Sequence, residues 1–159
     1  MQAQTAQFQI VAPRDRLSFF DIQSIDLPHP TTPLQVYAAV SADMARRLNW
    51  AFTLRDLISR PFGVCAIGGF SGAAPSSVAA GDRLDFFLVE AVRDGCLVLT
   101  ERDRHLDVMT CITCHDRTVS ITSSVLTHNG FGKAYMAVVG PAHRMIVARG
   151  LRRLAHSLS

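Results

Sequence analysis

The densest run of reactive side chains is C-I-T-C-H, Cys111 to His115, which spells the attachment signature of a c-type haem. In such a protein both thiols and the histidine converge on one porphyrin edge, on a turn or helix of an exported chain. Two further constellations could do chemistry. Glu90 and Glu101 stand inside apolar runs, where burial would raise their pKa values and suit them to proton transfer or to holding the polar end of a ligand. His105 and His128, with Asp107 nearby, offer two imidazoles and a carboxylate to a divalent cation, one ligand short of a placed set. The run G-G-F-S-G, residues 68 to 72, invites comparison with a nucleophile elbow or phosphate loop, but it lacks G-x-S-x-G and no G-K-[ST] follows.

Whether any of these groups meet depends on the elements that carry them. The 159 residues suit one domain, 1–159, that hides roughly 70% of its unfolded surface without disulfides; residues 1–15 are predicted to be a partly ordered tail. Hydrophobic residues make up 48% and charged residues 18%, an apolar balance that fits an internal cavity or a partner face. The N-terminal residues lack a basic stretch followed by an apolar one, and no apolar run approaches a membrane span. A cytoplasmic protein with free thiols is therefore predicted. Of the net charge of +3, much lies in Arg144, Arg149, Arg152 and Arg153; no aromatic residues interleave with them, so nucleic-acid binding is not predicted.

Residues 17–27 alternate in short apolar clusters and read as a first strand, closed by P-H-P. Thr31-Thr32-Pro33 supplies a cap and a proline at the first helical position. A second helix is predicted from N-W-A-F-T-L-R-D-L-I-S-R, with Trp50, Leu54, Leu57 and Ile58 as its apolar stripe, Arg55 and Arg60 opposite, and Pro61 and Gly63 as its stop. Residues 63–83, rich in Gly, Ala and Ser, read as a flexible connection. From residue 84 the period is two, giving four strands in an antiparallel meander. The last 30 residues return to helical spacing through Tyr135, Val139, Ala142 and Ile146, and Pro141 should kink or delay that helix.

Two-residue turns fix the register of such a meander. With Asp116-Arg117 as a turn, Cys114 faces Val119, Ile112 faces Ile121, Thr110 faces Ser123 and Val108 faces Val125, on one mainly apolar surface. The opposite surface carries Cys111, Met109, Asp107 and the facing pair His105 and His128. Turns at Asp103-Arg104 and Asp94-Gly95 add Leu97, Leu99 and Glu101, then Phe86, Leu88, Glu90 and Val92, to the apolar surface. Strand residues three apart point to opposite sides of a sheet, so Cys111 and Cys114 cannot share a haem, a metal or a disulfide. Cys114 reads as a small core residue and Cys111 as an incidental thiol on the outer face.

D-R-H-L-D (Asp103 to Asp107) and T-H-N-G-F-G-K-A-Y-M-A-V-V-G-P-A-H-R-M-I-V (Thr127 to Val147) resemble an uncharacterised bacterial family whose members occur alone or fused after a short-chain-dehydrogenase-like domain. Its tail, H-N-x-x-G-R-x-Y followed by P-x-H-R-x-I-V, is matched by His128, Asn129, Gly132, Tyr135, Pro141, His143, Arg144, Ile146 and Val147, with Lys133 in place of the arginine. That family is similar to the helix-grip superfamily (START, Bet v 1-like, SRPBCC) of lipid carriers, ligand binders and polyketide cyclases. The resemblance implies an α+β helix-grip fold, a curved antiparallel sheet around a long C-terminal helix in the order β, two α, meander, α, with an apolar cavity between them.

On this reading a small lipophilic or aromatic ligand occupies the cavity, walled by Leu99, Val108, Ile112, Ile121 and Val125. Glu90, Glu101, Thr110, Ser123, Tyr135 and His143 are its polar handles; no cofactor or metal is predicted. Thr110 and Ser123 can alternatively hydrogen-bond across the strands, and His105 and His128 can join the sheet end to the last helix through Asn129. The alternative function is an enzyme on the same scaffold, a cyclase or hydrolase-like catalyst using Glu90, Glu101 or His143. A third is an interaction or homodimer surface on the outer sheet face, formed by Phe87, Val89, Val98 and Met109.

Overall fold

In the computed structural model, residues 8–63 and 66–159 are described; residues 1–7 of the predicted tail, and Val64 and Cys65 of the predicted connection, lie outside the described residues. Strand β1 (Phe19–Asp26) leads to helix α1 (Pro33–Ser59). Then come the two-residue strand β2 (Arg83–Leu84), β3 (Phe87–Arg93), β4 (Cys96–Arg102), β5 (Leu106–His115) and β6 (Thr118–Thr127), and finally helix α2 (Gly130–Ser157). The strands form one antiparallel sheet in the order β1-β6-β5-β4-β3-β2, so β1 docks on the far edge of the meander beside β6.

Local chemistry accounts for the ends of both helices. Thr32 caps α1 in a reciprocal capping box with Gln35, followed by Pro33 at the first position, which satisfies amides that the first turn leaves orphaned. The two predicted helices are one: residues 41–48, S-A-D-M-A-R-R-L, are mostly strong helix formers and carry the helix through. It ends at Arg60-Pro61-Phe62, and Gly63 turns the chain with φ 70°, a conformation that costs glycine little. Asn129 caps α2 by accepting from the Gly132 amide, and α2 runs on through Pro141 without a break.

The predicted faces hold for β4, β5 and β6. Asp116-Arg117 is the turn that sets Cys114 against Val119, Thr110 against Ser123 and Val108 against Val125. Between β4 and β5 Arg102 pairs with Asp107, two residues beyond the partner that the predicted two-residue turn would give it. The Asp103 carboxylate accepts from the His105 and Leu106 amides there, at 2.7 and 2.9 Å. A displacement of two residues preserves parity, so Leu97, Leu99 and Glu101 keep the predicted face.

Strand β3 corrects the prediction. Asp94-Gly95 is the turn and Val92 pairs with Leu97, but the register shifts between Val89 and Ala91, so Val89 pairs with Leu99. One extra residue flips everything beyond it. Phe87 and Val89 therefore turn inward, with Val89 fully buried in the main core, whereas Leu88 and Glu90 turn outward.

Helices α1 and α2 both lie on the face that carries Val108, Ile112, Ile121 and Val125. Each fully buried Val or Leu of that core contributes roughly 1.5–3 kcal/mol. The opposite face is covered by the chain itself. Val11 packs on a second cluster of Cys96, Val98, Met109 and Cys111, while the Gln9 amide donates to Cys111 Sγ and the Val11 amide to Ser124 Oγ. The outer strip predicted for a homodimer is thus corrected on two counts: Phe87 and Val89 face the core, and Val98 and Met109 are buried within one chain. The second predicted stripe is corrected too, since Trp50 is 70% exposed and Leu54, Leu57 and Ile58 also face solvent.

Candidate functional site

Between the sheet and the two helices lies a cavity of about 340 Å³, within the size range of small-molecule sites. The sheet contributes Leu99, Val108, Ile112, Ile121 and Val125, the five predicted wall residues, and α2 contributes Tyr135, Val139, Ala142 and Ile146. Period two along the strands and a period near 3.6 along α2 aim these residues at one another. Close approach of the layers is set by glycines: a Cβ on Gly140 would lie 2.9 Å from the Phe19 ring, and one on Gly132 would lie 2.5 Å from the His105 carbonyl oxygen.

Of the predicted polar handles, Glu101, Thr110, Ser123, Tyr135 and His143 line the cavity. Although Thr110 stands opposite in the register, the Ser123 hydroxyl turns instead to the last helix. It meets His143 Nε2 at 2.9 Å, and the Phe19 ring stands edge-on to the imidazole at 5.8 Å between centroids. Burial pushes the His143 pKa below its usual value and Arg144 adds to this, against the opposing pull of Asp21, so the ring is neutral at pH 7. A neutral imidazole on a buried hydroxyl can exchange a proton with it or orient it toward a ligand. Glu101 sits at the strand end, 3.5 Å from Arg83; burial and Asp103 raise its pKa and Arg83 opposes them.

Glu90 is not part of this group. The β3 bulge places it on the other face, where Thr100 Oγ1 donates to it at 2.8 Å and Arg102 Nη1 at 3.0 Å. Those bonds hold its carboxyl below the usual range. It is a cross-strand surface carboxylate, not a cavity acid.

The histidines at the sheet end form a structural cluster. The His105 carbonyl accepts from the His128 amide, Asn129 Nδ2 reaches His105 Nδ1 at 2.9 Å, and His105 Nε2 meets the Phe62 carbonyl at 2.9 Å. His128 pairs with Asp107 at 3.1 Å. Among the described residues, no group of three His, Cys, Asp or Glu side chains is placed to hold a metal ion. Cys111 and Cys114 lie on opposite faces, the first fully buried beneath residues 9–11 and 3.7 Å from Cys96 Sγ, the second packed against the main core. Cys96, Cys111 and Cys114 are free thiols. Burial pushes the Cys111 thiol up to about 12 and Cys114 up to about 11.

Two parts of the cavity escaped the sequence reading. The first is Arg55, predicted to point away from the core but lining the cavity. Its Nε donates to Tyr135 Oη at 2.8 Å and its Nη1 to Asp56 Oδ1 at 2.7 Å. The stripe Tyr37, Ser41, Met44, Leu48, Phe52 leads to Arg55 at helical intervals, a signal visible only if α1 is read as one helix. The second is residues 66–71, predicted as a flexible connection. Phe70 is buried and Ile67 and Phe70 close one side of the cavity. That segment is strapped down by Asn49, which exchanges two hydrogen bonds with the Phe70 backbone, by Asp56, which accepts from the Ile67 and Gly68 amides, and by Asp85, which accepts from the Ser71 amide and from Tyr37 Oη.

Among the described residues no helix is long and apolar enough to cross a membrane. Residues 14–150 match the model of a family described as a protein of unknown function, DUF2867. No curated protein and no solved structure matches the chain.

Proposed function

We propose that this chain, which belongs to the DUF2867 family, is a cytoplasmic helix-grip protein that binds a small lipophilic or aromatic molecule between its sheet and its C-terminal helix. What supports the helix-grip reading is the antiparallel sheet with a 28-residue C-terminal helix lying on one face. What carries the binding reading is the cavity of about 340 Å³, an apolar space with a few convergent polar groups, the usual composition of a ligand pocket. Packed protein interiors leave few voids larger than a water molecule, so a space of this size is unusual for a core alone.

Native mass spectrometry of the purified protein, with extraction of any co-purifying molecule, tests this directly. A bound small molecule, released by the cavity-filling variant Ala142→Phe, is the expected result. A protein that carries nothing and binds no apolar fluorescent probe would contradict it. A second reading, proton-transfer catalysis on the same scaffold, draws on the hydrogen bond between His143 and Ser123 and is favoured if Ser123→Ala retains ligand while abolishing its conversion.

A further inference from the structure

The outer side of α1 carries an apolar strip that the core does not use. Trp50, Leu54, Leu57 and Ile58 recur at helical intervals, Phe62 follows just past the helix end, and all five are exposed. Spacing of three and four residues makes them neighbours on one side of the helix. Phe131, at the start of α2, stacks on Phe62 with 5.0 Å between ring centres and extends the strip. Apolar side chains scattered singly over a surface are ordinary, but a contiguous set of this kind marks a surface that meets something less polar than water.

Cations stand at both ends of the strip. Arg46 and Arg47 lie one turn before Trp50 on the same side; they share the Asp43 carboxylate at 3.8 and 2.9 Å, and Arg153 takes the same carboxylate at 2.8 Å. One negative charge thus answers three positive ones. At the other end Arg60 is exposed, and the exposed Arg104 donates from Nη2 to the Phe62 carbonyl at 2.9 Å. Asp56, the one acidic residue between positions 46 and 62, is turned inward onto the Ile67 and Gly68 amides.

Tryptophan and aliphatic side chains on one side of a helix, rimmed by guanidiniums, suit a membrane interface, where the apolar side sinks among the headgroups. A second copy of the chain fits less well. With cations at both ends of the strip, parallel and antiparallel pairings alike set guanidinium against guanidinium. Anionic lipid supplies the opposite charge along the whole rim.

We infer that α1 docks on an anionic lipid bilayer through Trp50, Leu54, Leu57, Ile58 and Phe62, with its flanking arginines on the headgroups. The other side of the same turns, through Leu48, Ala51 and Phe52, lines the cavity, so docking brings the cavity within about 10–12 Å of lipid, one helix diameter. The docking surface does not depend on the cavity's being a ligand site.

Trp50 is the only tryptophan, so its emission reports on the strip itself. The protein is mixed with vesicles of phosphatidylcholine alone, or with about 30% phosphatidylserine, and followed by flotation and by Trp50 fluorescence. Co-flotation and a blue shift with the anionic vesicles, and much less of both with phosphatidylcholine alone, are expected. Leu57→Gln, at an exposed position, should lower the partition coefficient roughly tenfold or more, and Arg46→Gln with Arg60→Gln about fivefold per arginine removed. The cavity-filling Ala142→Phe should bind vesicles as the native protein does. Failure to float with anionic vesicles, flotation that leaves Trp50 emission unmoved, or equal binding to both vesicle types would overturn the inference. So would a dimer in vesicle-free solution that shields Trp50 from a soluble quencher, since the strip would then be covered by a second copy. None of these results bears on whether the cavity holds a ligand.

Discussion

Lowering the pH from about 7.5 to about 5.5 should destabilise the protein through His143, and replacing that residue with glutamine should remove the effect. In the folded chain the ring is enclosed by α2, β1 and β6, hydrogen-bonded to Ser123, and kept from protonating first by burial and then by Arg144, with Asp21 on β1 opposing them. In the unfolded chain it takes up a proton near pH 6.5. The folded pKa is the lower of the two. Stability is therefore full above the unfolded value and falls as the pH drops through it, with a slope that vanishes once the folded form also protonates. The loss over those two pH units is at most about 1.4 kcal/mol, the limit in which the folded ring takes up no proton at all. At a urea dependence of roughly 1–3 kcal/mol per molar, that limit corresponds to a fall in the unfolding midpoint of about 0.5–1.4 M. Asp43, Asp56 and Glu90, whose pKa values are lowered, act in a more acidic window. The readout is the difference between native protein and His143→Gln at each pH, in which contributions common to both cancel. Identical pH slopes in the two proteins would refute the placement of His143 as a buried neutral ring.

Gly132→Ala should be destabilising, because its Cβ would lie 2.5 Å from a backbone oxygen, whereas Gly130→Ala meets nothing within 4 Å. Overpacking costs typically about 1–3 kcal/mol, so thermal unfolding should fall in the first variant by several degrees relative to the second. The thiols of Cys111 and Cys114 should resist alkylation in the native protein at pH 8, with thiolate populations on the order of 10⁻⁴ and 10⁻³; rapid labelling before unfolding, measured by mass spectrometry, would contradict the burial of Cys111 and the half-buried packing of Cys114 against the core. Peptide mapping under non-reducing conditions should yield no Cys111–Cys114 disulfide, and finding one would contradict their placement on opposite faces.

Much of the cavity was legible because parity is a robust quantity. Any turn displaced by an even number of residues leaves every face intact, as at Asp103, so the predicted walls and the separation of Cys111 from Cys114 survive an incorrect loop length. An odd displacement is different. The bulge at Glu90 has no turn residue to announce it, and a regular period of two carries Glu90 and Leu88 to the wrong side. Helix phase failed for a related reason. Trp50, Leu54, Leu57 and Ile58 form a better apolar stripe than the face that is buried, and only the continuous stripe from Tyr37 to Phe52 shows that Arg55 turns inward. The strap formed by residues 66–71 is held by side chains of Asn49, Asp56 and Asp85 from distant segments, contacts that composition cannot reveal.

The claim on which the functional account depends is that one face of β5 and β6 opens on a ligand space and the other does not. Methyl NMR during titration with an apolar probe measures this residue by residue. Shifts concentrated at Val108, Ile112, Ile121 and Val125, with Val98 and Met109 unmoved, are the predicted result. Shifts confined to Val98 and Met109, or spread equally over both faces, would contradict it.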